Sequence, residues 1–362
     1  MISPTSLPHA VKSHAQDVPR LTDLRSDTVT LPTAEMYERM RHAALGDDGL
    51  DGDPTARELE ALGARTFGKE AGLYVPTATM GNLLAVLTQV ARQGQVVMEA
   101  SAHMYLTERG GATLGGIAYH GIPGTAGEMD LGALKHALQG SSPLRTELVC
   151  METTHVNAGG AVLSLAHMRA VHDMAHGAGA RVHLDGARIF NAAVALQVPP
   201  EAVACFADTV SICLSKGLSA PAGAVLVGPA DTLSRARQLR KMLGGTQRQI
   251  GILAASGLEA IETMPKRLAQ DHAMAQQLGT GLRAVLPDHI GLTGPVTNII
   301  FVELPEGVPD SAAWAREVQK HGVLIRPWGL RRIRLVTHRH INSAGIAAAT
   351  AGFEKAANEL LG

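Results

Sequence analysis

Arg181-Val-His-Leu-Asp185-Gly-Ala-Arg188 reads as a short apolar strand ending in a carboxylate, and Thr209-Val-Ser-Ile-Cys-Leu-Ser-Lys216-Gly217 as a second strand ending in an amine 31 residues later. Ligands of α/β sheets bind where the carboxyl ends of the strands run out. The spacing fits one helical crossover, so Asp185 and Lys216 can face a single crevice. A lysine forms an imine with pyridoxal 5'-phosphate, and a carboxylate pairs with its protonated pyridine nitrogen and keeps the ring an electron sink. A strand-end Asp capping the next helix, beside a solvated Lys, explains either residue alone; it explains the pair in these surroundings less well.

Pro76-Thr-Ala-Thr-Met-Gly-Asn82 closes a strand and opens a helix, so its backbone amides and hydroxyls suit a phosphate, although an ordinary Thr-capped helix has the same pattern. Gly63-Ala-Arg-Thr-Phe-Gly68-Lys69 matches GxxxxGK but continues with Glu70, where magnesium coordination needs Ser or Thr, and lies in a helical pattern. No GxGxxG occurs. His172-Asp-Met-Ala-His176 approximates HExxH with a shortened acid and no third ligand indicated; a solvated helix face explains it better, and no metal is expected. Arg235-Ala-Arg237-Gln-Leu-Arg240-Lys241 lacks interleaved aromatics, which argues against nucleic acid as a partner.

These residues need a frame to position them. Strand patterns at Gly72 to Val75, Gln95 to Glu99, Glu147 to Glu152, Arg181 to Leu184, Thr209 to Leu214 and Ala224 to Gly228 alternate with helical patterns at Pro54 to Phe67, Met80 to Arg92, Leu131 to Leu138, Leu165 to His176 and Asp231 to Met242. Such alternation predicts an α/β fold with a mostly parallel sheet flanked by helices. From Ile252 to about Leu286 a long helical stretch breaks near Pro265. Strands near Asn298 to Glu303, Val323 to Ile325 and Ile333 to Thr337, and helices near Ala312 to His321 and Ala344 to Leu361, predict a small C-terminal α+β domain. The expected division is an extension at 1–20, a large domain at 21–265 and a small one at 266–362.

The chain has 362 residues, 46% of them hydrophobic and 18% charged, with Lys+Arg 32 against Asp+Glu 33, which excludes extended disorder and any global pull toward nucleic acid or anionic membrane. With 39 Gly against only 5 Phe, 4 Tyr and 2 Trp, the core must be mainly aliphatic. Three cysteines without framework spacing suit a reducing compartment. The first 20 residues carry no apolar core of a secretory signal, and no apolar run approaches a bilayer span; a cytoplasmic protein with no membrane partner is expected.

Taken together the motifs resemble the L-threonine aldolases, pyridoxal-phosphate enzymes of fold type I grouped with the β-eliminating lyases. The matching stretches are Leu24-Arg-Ser-Asp-Thr-Val-Thr30, Gly68-Lys-Glu-Ala71, Pro76 to Asn82, His103-Met-Tyr105, His183-Leu-Asp-Gly-Ala-Arg-Ile-Phe-Asn-Ala192, Cys213-Leu-Ser-Lys-Gly217, Arg240-Lys-Met-Leu-Gly-Gly245 and Ile333-Arg-Leu-Val-Thr-His338. They run in family order from about residue 21 to the C-terminus. The resemblance implies a seven-stranded sheet and cleavage of a small β-hydroxy-α-amino acid into glycine and an aldehyde.

It also implies roles. Lys216 bonds the cofactor, Asp185 pairs its ring nitrogen, and His103 stacks on its face where it, or a water it orders, also acts on the substrate hydroxyl. Ala78, Thr79 and Met80 hold the phosphate; Ser26, Arg188 and Arg334 clamp the substrate carboxylate. Arg248, with Lys241 nearby, reaches the phosphate from a neighbouring subunit of a homo-oligomer, a dimer of dimers with shared active sites. The chain departs from the family pattern at Ala78, where Gly is common, at Leu50 (Tyr), at Ser142 (His) and at Val156 (Asn). The last three lie near the substrate's β-substituent in the family, so their loss of polarity points to a bulkier apolar aldehyde, as from phenylserine. A β-eliminating lyase giving an α-keto acid and ammonia stays open, as does, remotely, a non-catalytic cofactor-binding sensor module.

Overall fold

The computed structural model describes residues 21–139 and 144–362, so the N-terminal extension and Ser142 lie outside the described residues. Seven strands form the principal sheet in the order Ala71–Val75, Ala224–Gly228, Thr209–Cys213, Arg181–Asp185, Thr146–Glu152, Gln95–Glu99, Ala118–Ile122. Ala224–Gly228 runs antiparallel to both neighbours; every other pairing is parallel. Parallel neighbours need crossovers, and the helices that supply them cover both faces, so inner strands such as Gln95–Glu99 and Thr209–Cys213 are buried along their whole length. The sequence pattern missed Ala118–Ile122, because an edge strand reading Ala-Tyr-His-Gly-Ile is half exposed and lacks the apolar run of its neighbours.

Helix starts follow local chemistry. Asp53, Thr77, Asp130 and Ser164 each accept a backbone N–H of the first turn of Pro54–Thr66, Ala78–Gln89, Leu131–Leu138 and Leu165–Gly177. Gly63 to Thr66 form the last turn of the first of these and Phe67 to Lys69 leave its C-terminus, so the GxxxxGK run ends a helix where a phosphate loop would start one. Near Pro265 the expected break occurs: Gly251–Thr263 gives way to a 3-10 turn, Met264–Arg267, and then to Leu268–Val285, since proline has no N–H to continue an α-helix.

A second, antiparallel sheet runs Gly291–Thr293, Ile299–Glu303, Arg332–Val336, Arg326–Pro327. Helices Leu268–Val285, Ser311–Lys320 and Ser343–Leu361 contribute Leu278, Leu282, Trp314 and Phe353 to its core. Leu24 is buried in that same core, and Thr22–Asp23 pairs in parallel with Val323–Leu324. That pairing is a separate two-stranded sheet, and the Val336 N–H donating to the Leu24 carbonyl at 2.9 Å fastens the segment to the C-terminal sheet before it enters the crevice beside the principal one. Among the described residues no helix is long and apolar enough to cross a membrane.

Candidate active site

A cavity of about 590 Å³ opens at the carboxyl ends of the principal strands. Ser26, Ala78, Thr79, His103, Asp185, Arg188, Lys216 and Arg334, eight of the residues singled out from the sequence, all line it.

Asp185 ends its strand buried, and both oxygens are engaged. Oδ1 accepts the Ala187 N–H at 3.0 Å and Oδ2 accepts Asn82 Nδ2 at 3.0 Å. Asn82 in turn meets His183: its Oδ1 lies 3.1 Å from Nε2, while His183 Nδ1 lies 2.9 Å from Thr209 Oγ1. Burial pushes the His183 imidazole down to about 4, so it is neutral at ordinary pH. The bonding pattern then assigns the proton to Nε2, with Nδ1 accepting from the Thr209 hydroxyl. Three side chains on neighbouring elements hold one carboxylate still.

His103 enters the cavity just before a π-helical turn, Met104–Glu108. Its backbone N–H donates to Glu152 Oε2 at 2.6 Å, and its Nδ1 lies 2.9 Å from Glu108 Oε1. That bond to Glu108, more than the opposing burial, raises the basicity of the imidazole, and the charges of Glu108, Asp185 and Glu152 add to the effect. Glu108 also accepts from Asn82 Nδ2, at 3.2 and 3.3 Å, and from Thr79 Oγ1 at 3.3 Å. Sequence reasoning did not single out Glu108; its place five residues after His103 becomes informative only once the π-turn folds it back.

Lys216 follows the strand Thr209–Cys213 in a loop fastened by its own carbonyl, which accepts from Thr30 Oγ1 at 2.8 Å and from the Ser219 N–H at 2.9 Å. Across from it, Thr77 caps the helix Ala78–Gln89 by accepting the Met80 N–H at 3.1 Å. The amides of Ala78 and Thr79, in the first turn, have no intrahelical acceptor and are the natural anion donors. Met80 differs from expectation: its amide is consumed by the cap, and the residue is not among those lining the cavity.

The guanidinium groups divide. Arg188 gives its fork to buried Asp27, Nε to Oδ2 at 2.7 Å and Nη2 to Oδ1 at 2.6 Å. Burial alone would raise the Asp27 carboxyl, but Arg188, with Lys216 and Arg334 behind it, holds it well below the usual carboxylate range. Arg334 stands apart: Nη2 donates only to the Arg25 carbonyl at 3.2 Å, and Nε is buried with no partner. Burial first, then the like charges of Arg188 and Arg326, push it down to about 9. Its guanidinium lies 4.1 Å from the Trp328 ring centre, and Trp328 is held by donating Nε1–H to Asn157 Oδ1 at 2.8 Å. No carboxylate is within ion-pair distance of Arg334 among the described residues. A buried cation so placed invites a carboxylate from outside. Ser26, whose Oγ accepts the Thr28 N–H at 3.3 Å, lines the same part of the wall.

Lys241 and Arg248 are exposed and do not line the cavity of their own chain. Within the basic helix Ala230–Met242, Arg240 is instead buried, bonded to the Tyr74 carbonyl at 2.6 Å and to Asp48 at 2.6 Å. His172 and His176 stack on the helix Leu165–Gly177 with ring centres 4.1 Å apart, each beside an aspartate, Asp173 and Asp208.

The family model described as beta-eliminating lyase matches residues 23–304. Low-specificity L-threonine aldolase 1 of Arabidopsis thaliana is 39% identical over 347 residues, covering 94% of this chain and 97% of the relative. The low specificity L-threonine aldolase of Escherichia coli K12 is 37% identical over 335 residues, covering 91% and 98%. Among solved structures, Leishmania major threonine aldolase superposes with a TM-score of 0.76 at 18% identity, over 93% of this chain and 99% of that one. Sphingomonas wittichii serine palmitoyltransferase superposes with a TM-score of 0.75 at 15% identity, over 93% and 87%; at such identities these two speak for the fold alone. With the sheet, the crevice and the sequence kinship in agreement, the chain belongs to the beta-eliminating lyase family, in its L-threonine aldolase group, and has the type I fold of pyridoxal-phosphate enzymes.

Proposed function

We propose that this chain is a pyridoxal 5'-phosphate-dependent aldolase, a carbon–carbon lyase that cleaves L-threonine, L-allo-threonine or a related β-hydroxy-α-amino acid to glycine and an aldehyde. The observation that carries the reading is Arg334, a buried guanidinium with an unpartnered Nε, in the same cavity as Lys216 and Asp185. The donor set suits the cofactor: first-turn amides of Ala78 and Thr79 for a phosphate, the wired carboxylate of Asp185 for a protonated ring nitrogen, and the Lys216 amine for its aldehyde carbon. When bound, pyridoxal phosphate supplies an electron sink for the bond broken at Cα.

The protein's own groups do the rest. Arg334, with Ser26, holds the substrate carboxylate and so selects which Cα bond is presented for cleavage. Arg188, steadied by Asp27 through Nε and Nη2, lines the same cavity and offers its remaining Nη1 edge to the clamp. His103 takes the β-hydroxyl proton, and Trp328 and Val156 give the β-substituent an apolar surface. That surface favours an aldehyde bulkier than acetaldehyde.

The same reading has the chain divide near Pro265 into a large cofactor-binding unit and a small one, supported by the two largest hydrophobic clusters among the described residues, one running from Met36 to Leu268 and the other, apart from Leu24, lying wholly from Ala275 onward. It also has the protein act as a homo-oligomer, a dimer of dimers in which Arg248 serves the neighbouring site. Support comes from the exposed apolar residues Leu50, Met242 and Ile252 on the segments around Arg248. A cytoplasmic location is supported by three unpaired cysteines, Cys150, Cys205 and Cys213.

The test is the product set. L-threonine added to cofactor-loaded protein should yield glycine and acetaldehyde in equal amounts. Pyruvate or another α-keto acid with ammonia would instead identify a β-eliminating lyase, and binding without turnover a sensor.

A further inference from the structure

Glu108 lines the cavity beside His103. It sits nine-tenths buried at the side chain and is fastened by neutral donors, Asn82 Nδ2 at 3.2 and 3.3 Å and Thr79 Oγ1 at 3.3 Å. Among the described residues no lysine or arginine bridges to it, and its only ion-pair partner is His103. Its charge is therefore spent on one imidazole nitrogen, Nδ1, at 2.9 Å. Asn82 is itself held by His183 and by Asp185, so the carboxylate cannot swing away without breaking a buried network.

We propose that Glu108 is the positioning residue that makes His103 the acceptor of the substrate's β-hydroxyl proton: by taking the Nδ1–H bond it fixes the tautomer whose Nε2 lone pair is free for the substrate. This rests on the aldolase reading above. In the cleavage the O–H bond breaks and its proton passes to Nε2. The oxygen's electron pair becomes the second bond of the aldehyde carbonyl, and the Cα–Cβ pair stays with the glycine fragment. His103 becomes an imidazolium, and the neighbouring Glu108 carboxylate stabilises that charge as it forms, the arrangement by which a carboxylate orients a catalytic histidine in other folds. Other groups facing the ring are Glu152, which accepts the His103 backbone N–H, Asp185 at the adjoining strand end, and Lys216 on the same cavity wall. None of them hydrogen-bonds Nδ1, whose partner is Glu108.

The experiment follows the imidazole and not turnover alone. In cofactor-loaded protein with 13C-labelled histidine, the His103 signal is identified by its loss in His103→Asn and titrated in wild type, Glu108→Gln and Glu108→Asp. Expected is a midpoint lower in Glu108→Gln by about one pH unit or more, with partial return in Glu108→Asp. The acid limb of kcat/KM should move to lower pH by the same amount while the plateau drops roughly a hundredfold. An unchanged His103 midpoint in Glu108→Gln, with cofactor affinity alone altered, overturns the proposal and leaves Glu108 a structural support for Asn82. Should Glu108→Gln not fold, Glu108→Asp carries the same comparison: its own midpoint should fall below that of wild type, and no shift overturns the proposal. The titration reads the pairing even if no β-hydroxy amino acid is cleaved, so a failure of the aldolase reading is seen separately, in the products.

Discussion

Asp27 and Arg188 lock together through two parallel bonds of 2.7 and 2.6 Å, with both side chains almost wholly buried. The pair ties the segment after Leu24 to the loop that follows Asp185, and it occupies Nε and Nη2 of Arg188 while that residue still lines the cavity. Asp27→Ala leaves that guanidinium buried and unpaired, so denaturant unfolding should show a loss of roughly 3–5 kcal/mol. Asp27→Asn keeps an acceptor and should cost less. Equal stability of wild type and Asp27→Ala would mean the pair contributes nothing.

In the proposed reaction Arg334 is the principal receptor of the substrate carboxylate, since its Nε is buried without a partner. Replacing it with Lys removes the fork but keeps a charge, and kcat/KM for a β-hydroxy amino acid should fall about a hundredfold or more. Visible absorbance of the bound cofactor should persist, because Arg334 does not contact the groups that hold it. A variant that lost the cofactor and the activity together would place Arg334 in the cofactor site instead.

Val156 and Trp328 set the expectation for the aldehyde. L-phenylserine should be turned over with higher kcat/KM than L-threonine or L-allo-threonine. Val156→Asn should narrow the ratio by about tenfold, the order of effect one polar group has in an apolar pocket. A clear preference of wild type for the methyl substrates would sink the idea of an enlarged, apolar pocket.

His183 makes stability depend on pH in a definite direction. Its folded imidazole titrates near 4, against an ordinary value of 6.5, because burial disfavours the charged form. The unfolded chain therefore takes up a proton that the folded one refuses. The stabilisation is complete above the ordinary value, declines as pH falls and is exhausted below the folded value, a span of roughly 3 kcal/mol. Unfolding free energies at a series of pH values should show wild type losing ground on His183→Asn between those limits. Parallel curves would contradict it.

Arg248 lies outside its own cavity, as a subunit-crossing role requires. Arg248→Ala should weaken cofactor binding by about tenfold or more. Mixing Lys216→Ala and Arg248→Ala subunits should restore activity, since a hybrid contains one site with both a native Lys216 and a neighbour's Arg248. No recovery on mixing would put Arg248 in service of its own chain.

Much of this was legible from short stretches. Asp185 and Lys216 stand at the ends of apolar runs, and where such runs stop the sheet ends, so their convergence follows from strand order alone. Thr77 announces its helix by capping it, and Pro265 announces a break by lacking an N–H. The partners across the cavity were not legible. Asp27 and Arg188 are 161 positions apart, and nothing local distinguishes the arginine that is locked from Arg334, which is open. Glu108 carries no local signal in the sequence until the π-turn brings it against His103. The motif identifies the phosphate loop as a unit and so does not show that the Thr77 cap takes up the Met80 amide while those of Ala78 and Thr79, just before it, stay open.

The central assignment is Lys216 as the residue that bonds pyridoxal phosphate in the cavity with Asp185. Borohydride reduction of the loaded protein followed by peptide mass mapping reads this directly. The expected result is one reduced cofactor per chain, on the peptide containing Lys216, and none in Lys216→Ala. Cofactor mass on a different lysine, or wild-type protein that takes up none, would contradict it.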